Sequence, residues 1–177
     1  MDHILDKLNQ LLLNLKKMKT ILTSMLIVIW LYGCDHSQVT KTFVPSNEDS
    51  VEVIKVINNV FGWAVTKNFD LFFNSIANDS DFISVTPYAR VKFGFNEVKN
   101  DTAFWASPNF KAISHEVKDL KLNFSKDGSI AWFYCVVNDY NSWKDQPANW
   151  ENTRWTGVLE KREGKWRVVQ QHFSWAH

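Results

Sequence analysis

Cysteine is scarce in this chain of 177 residues: there are two, Cys34 and Cys135. Cys34 closes an apolar run and Cys135 sits inside an apolar strand pattern, so no disulfide framework is expected. Cys135 reads as a small buried hydrophobe. A charge excess is missing too. Residues 1–34 hold four of the 20 basic residues and two of the 19 acidic ones, leaving 16 basic against 17 acidic. That balance gives no electrostatic footprint for a nucleic-acid partner. The apolar run over residues 20–32 falls short of the roughly 17–25 residues of a membrane span. No His-x-x-x-His or Cys-x-x-Cys spacing offers metal ligands. No Gly-x-Gly-x-x-Gly or phosphate loop points to a nucleotide. No Gly-x-Ser-x-Gly elbow is present. Neither a metal nor a cofactor is expected. There is no internal repeat and no parallel βαβ pattern.

Aromatic residues are abundant: 13 Phe, 9 Trp and 4 Tyr. A disordered chain would carry fewer. Core packing accounts for most of them, and an aromatic-lined pocket is the other reading. The start of the chain has its own logic. Lys16, Lys17 and Lys19 precede TILTSMLIVIWLY, and Leu31-Tyr32-Gly33-Cys34 follows. A charged start with a short apolar core is a secretory signal pattern. Its end resembles a bacterial lipobox, with the Cys34 thiol carrying diacylglycerol. The expectation is a signal over 18–34 and a polar tether over 35–47. The protein would then be lipid-anchored in the bacterial cell envelope, facing the periplasm or the exterior. Residues 1–17, with leucines at helical spacing, read as an over-called start or an amphipathic extension.

From residue 48 the pattern is that of a folded domain. Ser46 followed by Asp49 marks a helix start, and Val53, Ile54, Ile57, Val60, Phe61 and Ala64 form a stripe reaching about residue 65. A short helix is expected over 69–77, a strand over 82–86 and helical character over 95–107. The remainder reads as strands: 110–124, 130–139, 153–161 and 165–175. Asp127-Gly128 and Gly164 mark two of the turns, and a long loop covers 140–151. Strand 130–139 is apolar on both faces and is expected to be covered on both. Helices followed by hairpin-linked strands give an α+β order.

Certain segments are similar to a known family. They are Phe69-Asp70-Leu71-Phe72-Phe73, Gly94-Phe95-Asn96-Glu97-Val98, Ala131-Trp132-Phe133, 153–161 and the closing 164–174, GKWRVVQQHFS. Residues 48–177 resemble the SnoaL-like branch of the nuclear transport factor 2-like superfamily. The resemblance implies a cone: a strongly bent antiparallel sheet wrapped around N-terminal helices. It also implies frequent homodimers formed through the sheet. Members include isomerases, dehydratases, polyketide cyclases and non-enzymatic binding or assembly modules, so fold alone does not choose.

Strand parity puts Trp166, Val168, Gln170, His172 and Ser174 on one face, unless a bulge shifts it. His172 is the leading acid–base residue because its ordinary pKa lies near neutrality. Asp139, ending the apolar strand, could orient it or act as base. Tyr88 and Arg90 could reach over a pocket, and Arg154 could bind a carboxylate. Trp132, Tyr134, Trp143, Trp150 and Trp155 are the aromatic lining, shared with core or dimer interface. Gln170 and Ser174 complete the polar end. The first expectation is a binder of a small, partly apolar molecule. The alternatives are a cofactor-free isomerase, dehydratase or hydrolase using His172 with Asp139, and a dimeric assembly module with a vestigial pocket.

Overall fold

The computed structural model describes residues 45–175, plus the single residue Gln10. The extension, the signal with Cys34, most of the tether and His177 lie outside the described residues. Helix α1 spans Asn47–Thr66. Ser46 caps it: its Oγ accepts from the Asp49 backbone N–H at 3.0 Å, which satisfies one of the donors a helix start leaves open. Lys67 ends it in the left-handed conformation, φ 56°. The Lys67 ammonium then donates to the carbonyls of Trp105 and Phe110, pinning later segments to the helix end. A short α2 follows at Phe69–Phe73, shorter than the expected 69–77.

Strands β1 (Ile83–Val85) and β2 (Val91–Phe93) form a small hairpin. The helical stretch after Gly94 is split in two, α3 at Phe95–Lys99 and α4 at Thr102–Ala106. The rest is sheet: β3 (Phe110–Phe124), β4 (Ile130–Trp143), the two-residue β5 (Gln146–Pro147), β6 (Trp150–Arg162) and β7 (Lys165–Ser174). The expected loop over 140–151 is therefore largely strand, because β4 and β6 continue into it and β5 pairs with β4.

The strand order is β2-β1-β7-β6-β4-β3. The sheet is curled and mixed rather than wholly antiparallel, since β1 runs parallel to β7. Hairpins link β3, β4, β6 and β7, whereas β1 arrives at β7 from the far end of the sequence, and that joint has no hairpin cue. Val53, Ile57 and Val60 of α1 bury against Ala131, Val137, Trp155, Leu159 and Val168 of the sheet. Among the described residues no helix is long and apolar enough to cross a membrane. Cys135 is buried and unpaired among these residues, and burial pushes its thiol up to about 12.

Two details set which residues face inward. First, β7 carries a bulge. Val158 pairs with Gln170 and Leu159 with Val168, so Val169 is an extra residue. Trp166 and Val168 stay inside, but after the bulge Gln171 and Phe173 point in and Gln170, His172 and Ser174 point out. Second, β4 is not covered on both faces. Ile130, Trp132 and Tyr134 are 36%, 45% and 39% exposed on the outer side.

Gly157 is where the sheet admits no side chain. A Cβ there would lie 2.6 Å from Cε1 of Phe133 and 3.0 Å from the Gln170 carbonyl. Phe133 cannot swing away freely, because it is buried edge-on against Trp155 at 4.8 Å. Gly157→Ala is therefore expected to destabilise by about 1–3 kcal/mol, the usual cost of overpacking. Urea unfolding checks this; an unchanged midpoint would show that Phe133 yields at no cost.

Candidate functional site

A cavity of about 340 Å³ lies between the helices and the inner face of the sheet. That is the small end of the range for ligand pockets. Its walls are mostly aromatic. Phe61, Trp63 and Phe72 come from α1 and α2, and Phe104 and Trp105 from α4. Phe110, Trp143, Trp150 and Phe173 come from the strands. Rings lock one another: Trp63 stacks on Phe72 at 5.0 Å, and Phe104 on Trp143 at 4.8 Å. Tyr88 stands at the rim, edge-on to Trp150 and Trp175.

The polar lining is sparse. Lys92 faces in from β2 and is buried, while its apolar neighbours Val91 and Phe93 face out. The Lys92 ammonium pairs with Asp101, which also accepts from Arg90 at 3.4 Å, and it lies 5.3 Å from the Trp105 ring centre. Buried Gln171 donates from Nε2 to Ser84 Oγ at 3.1 Å, as its register opposite Ser84 on β1 allows. Its Oε1 has no partner.

Asp139 lines the cavity near the end of β4. Burial pushes its carboxyl up to about 6, against the opposing pull of the Asn141 hydrogen bond. That bond runs from Asn141 Nδ2 to Asp139 Oδ2 at 2.7 Å. Asn141 is buried in turn, and its Oδ1 is unpartnered. Directly opposite Asp139 on β3 is His115, half-buried and stacked on Phe61. Burial pushes the His115 imidazole down, toward the neutral form. Among the described residues no cluster of three or more His, Cys, Asp and Glu could hold a metal ion.

The sequence candidates divide by face. Asp139, Tyr88, Trp143 and Trp150 line the cavity. Trp155 is fully buried in the core. His172, Gln170, Ser174, Arg154, Trp132 and Tyr134 are corrected to the outer face. They form one continuous row there: His172 lies opposite Thr156, Gln170 opposite Val158 and Ser174 opposite Arg154. On the next strand Tyr134 lies opposite Thr156 and Trp132 opposite Val158. The bulge at Val169 split the parity group: Trp166 and Val168 stay inside, while Gln170, His172 and Ser174 turn outward. His172 is thus exposed on one face while Asp139 lines the cavity on the other, and the two are not brought together. Arg90 is exposed and bound to Asp101 rather than reaching over the cavity.

Lys92, Asn141 and Gln171 escaped the sequence reading. Lys92 lies between two apolar residues, a pattern that ordinarily puts lysine in water. Asn141 lay in the presumed loop, and Gln171 took the outward parity. No local signal marks the first two; the bulge would have identified the third.

Residues 53–177 match the model of the SnoaL-like domain. No curated protein matches the chain in sequence. Several solved structures share the fold at low identity. A candidate dehydratase of the NTF2-like family from Streptomyces avermitilis is 17% identical with a TM-score of 0.63, covering 74% of this chain and 98% of its own. A candidate aromatic ring hydroxylase from Novosphingobium aromaticivorans is 13% identical with a TM-score of 0.62, covering 76% and 93%. An NTF2-like protein of unknown function from Prochlorococcus is 16% identical with a TM-score of 0.57, covering 75% and 95%.

Proposed function

Since the chain belongs to the SnoaL-like domain family, we propose that it is a lipid-anchored, extracytoplasmic protein that binds a small, partly apolar molecule in its cone. The observation that carries the reading is the cavity of about 340 Å³, walled by aromatic rings with buried polar atoms left unpartnered. A vestigial cavity would be closed by side chains, and its polar atoms would be paired or replaced. Native mass spectrometry of the protein purified from its own host tests this. A small molecule bound beyond the mass of the lipidated chain is the expected result; the mass of the lipidated chain alone in every charge state would sink it. The same spectrum gives the stoichiometry. Two copies are expected, joined through the outer faces that carry Trp132 and Tyr134.

The anchor rests on the sequence signal ending at Cys34. Cys34→Ala is expected to release the protein from the membrane fraction into the soluble envelope fraction. Unchanged sedimentation with membranes would overturn the anchor.

A second reading is a cofactor-free isomerase, dehydratase or hydrolase. One observation favours it: a cavity carboxyl, Asp139, held at about 6, where it can accept a proton near neutral pH. The candidate dehydratase among the solved structures is consistent with that reading. Asp139 would then act without His172. Conversion of the co-purified compound by the native chain but not by Asp139→Asn would establish the enzyme; equal conversion by both would remove Asp139 from it.

A further inference from the structure

We propose that the cavity selects a protonated amine: a primary or secondary ammonium on a flat apolar body, seated against Asp139 and Asn141. The proposal rests on the binding reading and names its ligand class. Asp139 has no ion-pair partner among the described residues, and the one hydrogen bond to its carboxylate comes from Asn141 Nδ2. Asn141 is 5% exposed, lines the same cavity, and has an Oδ1 without a donor. Gln171, also 5% exposed, stands two strands away on β7 with Oε1 equally unpartnered. Both unpartnered side-chain atoms in the lining are acceptors, so each lacks a donor, and Asp139 lacks a counter-charge. A carboxylate ligand would meet the like charge of Asp139 at this end.

Lys92 does not supply the missing charge. It lines the same cavity but its ammonium is committed to Asp101. The rings of Trp143 and Trp150 flank the Asp139 end of the cavity along the chain. They offer apolar, aromatic surface to the body of the ligand. An ammonium would bond to Asp139, return a counter-charge to a buried carboxylate and give Asn141 Oδ1 its donor.

Three probes with one aromatic body and different heads test the class: 2-phenylethylamine hydrochloride, 2-phenylethanol and 3-phenylpropanoate. Each is titrated calorimetrically into the full-length protein in lipid nanodiscs. The amine is expected to bind about tenfold or more tighter than the alcohol, and the carboxylate weakest, because charge-assisted hydrogen bonds are the stronger ones. Asp139→Asn, with its fold checked by circular dichroism, is expected to lose the preference. Lowering the pH from 7.5 to 5 should weaken the amine about tenfold as Asp139, at about 6, takes up its proton.

The other charged or titratable groups around the cavity are Lys92 with Asp101 and Arg90, Tyr88, Lys67 at the end of α1, and His115 on β3. Protonation of His115 would act in the same direction as that of Asp139. The pH series in Asp139→Asn separates the two, and it is expected to be flat. Equal binding of amine and alcohol, tighter binding of the carboxylate, or an intact amine preference in Asp139→Asn would overturn the amine class and leave the pocket standing. Silence from all three probes also overturns it; with no ligand in the native mass spectrum, the pocket reading falls as well.

Discussion

Trp155→Ala is expected to destabilise the protein by about 3–5 kcal/mol, the range for truncating a large buried aromatic. Native domains hold only about 5–15 kcal/mol in all, so the variant should unfold at far lower urea and accumulate poorly. Trp155 is fully buried in the middle of β6. Three rings close on it: Phe61 of α1 edge-on at 5.1 Å, Phe133 of β4 edge-on at 4.8 Å, and Phe173 of β7 stacked at 5.3 Å. It is therefore the contact through which α1 and three strands share one core, and the strands around it cannot collapse into the void without breaking register. Phe61 and Phe173 also line the cavity, so their support is lost with it. Trp155→Phe should cost much less. The indole Nε1 is buried without a partner, so its removal relieves a desolvated donor while most of the ring area stays. Equal losses for the Ala and Phe variants in urea titrations would contradict this account.

The residues that carry this core were legible in the sequence where local pattern decides structure. Ser46 and Asp49 marked the start of α1, Asp127-Gly128 marked a hairpin, and the alternation in 165–175 marked β7. What was not legible depended on a single residue or on distant partners. Val169 is one apolar residue among several, and nothing in its neighbourhood shows that it bulges. Yet a strand has a side-chain period of two, so one inserted residue moved His172, Gln170 and Ser174 from the cavity side to the outer face. The apolar run of β4 suggested cover on both faces. Its outer residues are the aromatics Trp132 and Tyr134, and apolar side chains alone do not distinguish a covered face from one facing water or a second copy. The parallel joint of β1 to β7 could not be seen either, since it links segments about ninety residues apart. Asp139 was identified because it ends an apolar strand. Its companions Asn141 and Lys92 were missed because their burial is conferred by tertiary neighbours.

Asp139→Asn is expected to stabilise the protein at neutral pH while removing its amine preference. The carboxyl is raised by burial from 3.8 to about 6 in the folded chain. An acid whose folded pKa lies above its unfolded value opposes folding wherever it is ionised. The cost is absent below about pH 4, grows as the pH climbs to about 6, and is constant above that. A gap of about two units corresponds to roughly 3 kcal/mol at pH 7.5. Asparagine cannot ionise, and its amide would bring the donor that Asn141 Oδ1 lacks while still accepting from Asn141 Nδ2. The variant should melt roughly 6–12 °C higher than the native chain at pH 7.5, at about 2–4 °C per kcal/mol for a chain of this size. At pH 4 the two should melt together. Other titrating groups do not blur the comparison. Asp49, held below its ordinary range chiefly by Lys161, weakens both proteins alike as the pH falls. His115 does the same in both. A melting difference that is equal at pH 4 and pH 7.5 would mean the gain comes from packing rather than from the buried charge. A difference that is absent at pH 4, grows between pH 4 and about 6 and then levels off would identify Asp139 as a group the fold keeps at a cost to its own stability. Such a cost is expected at a site whose charge is satisfied by a ligand rather than by the protein.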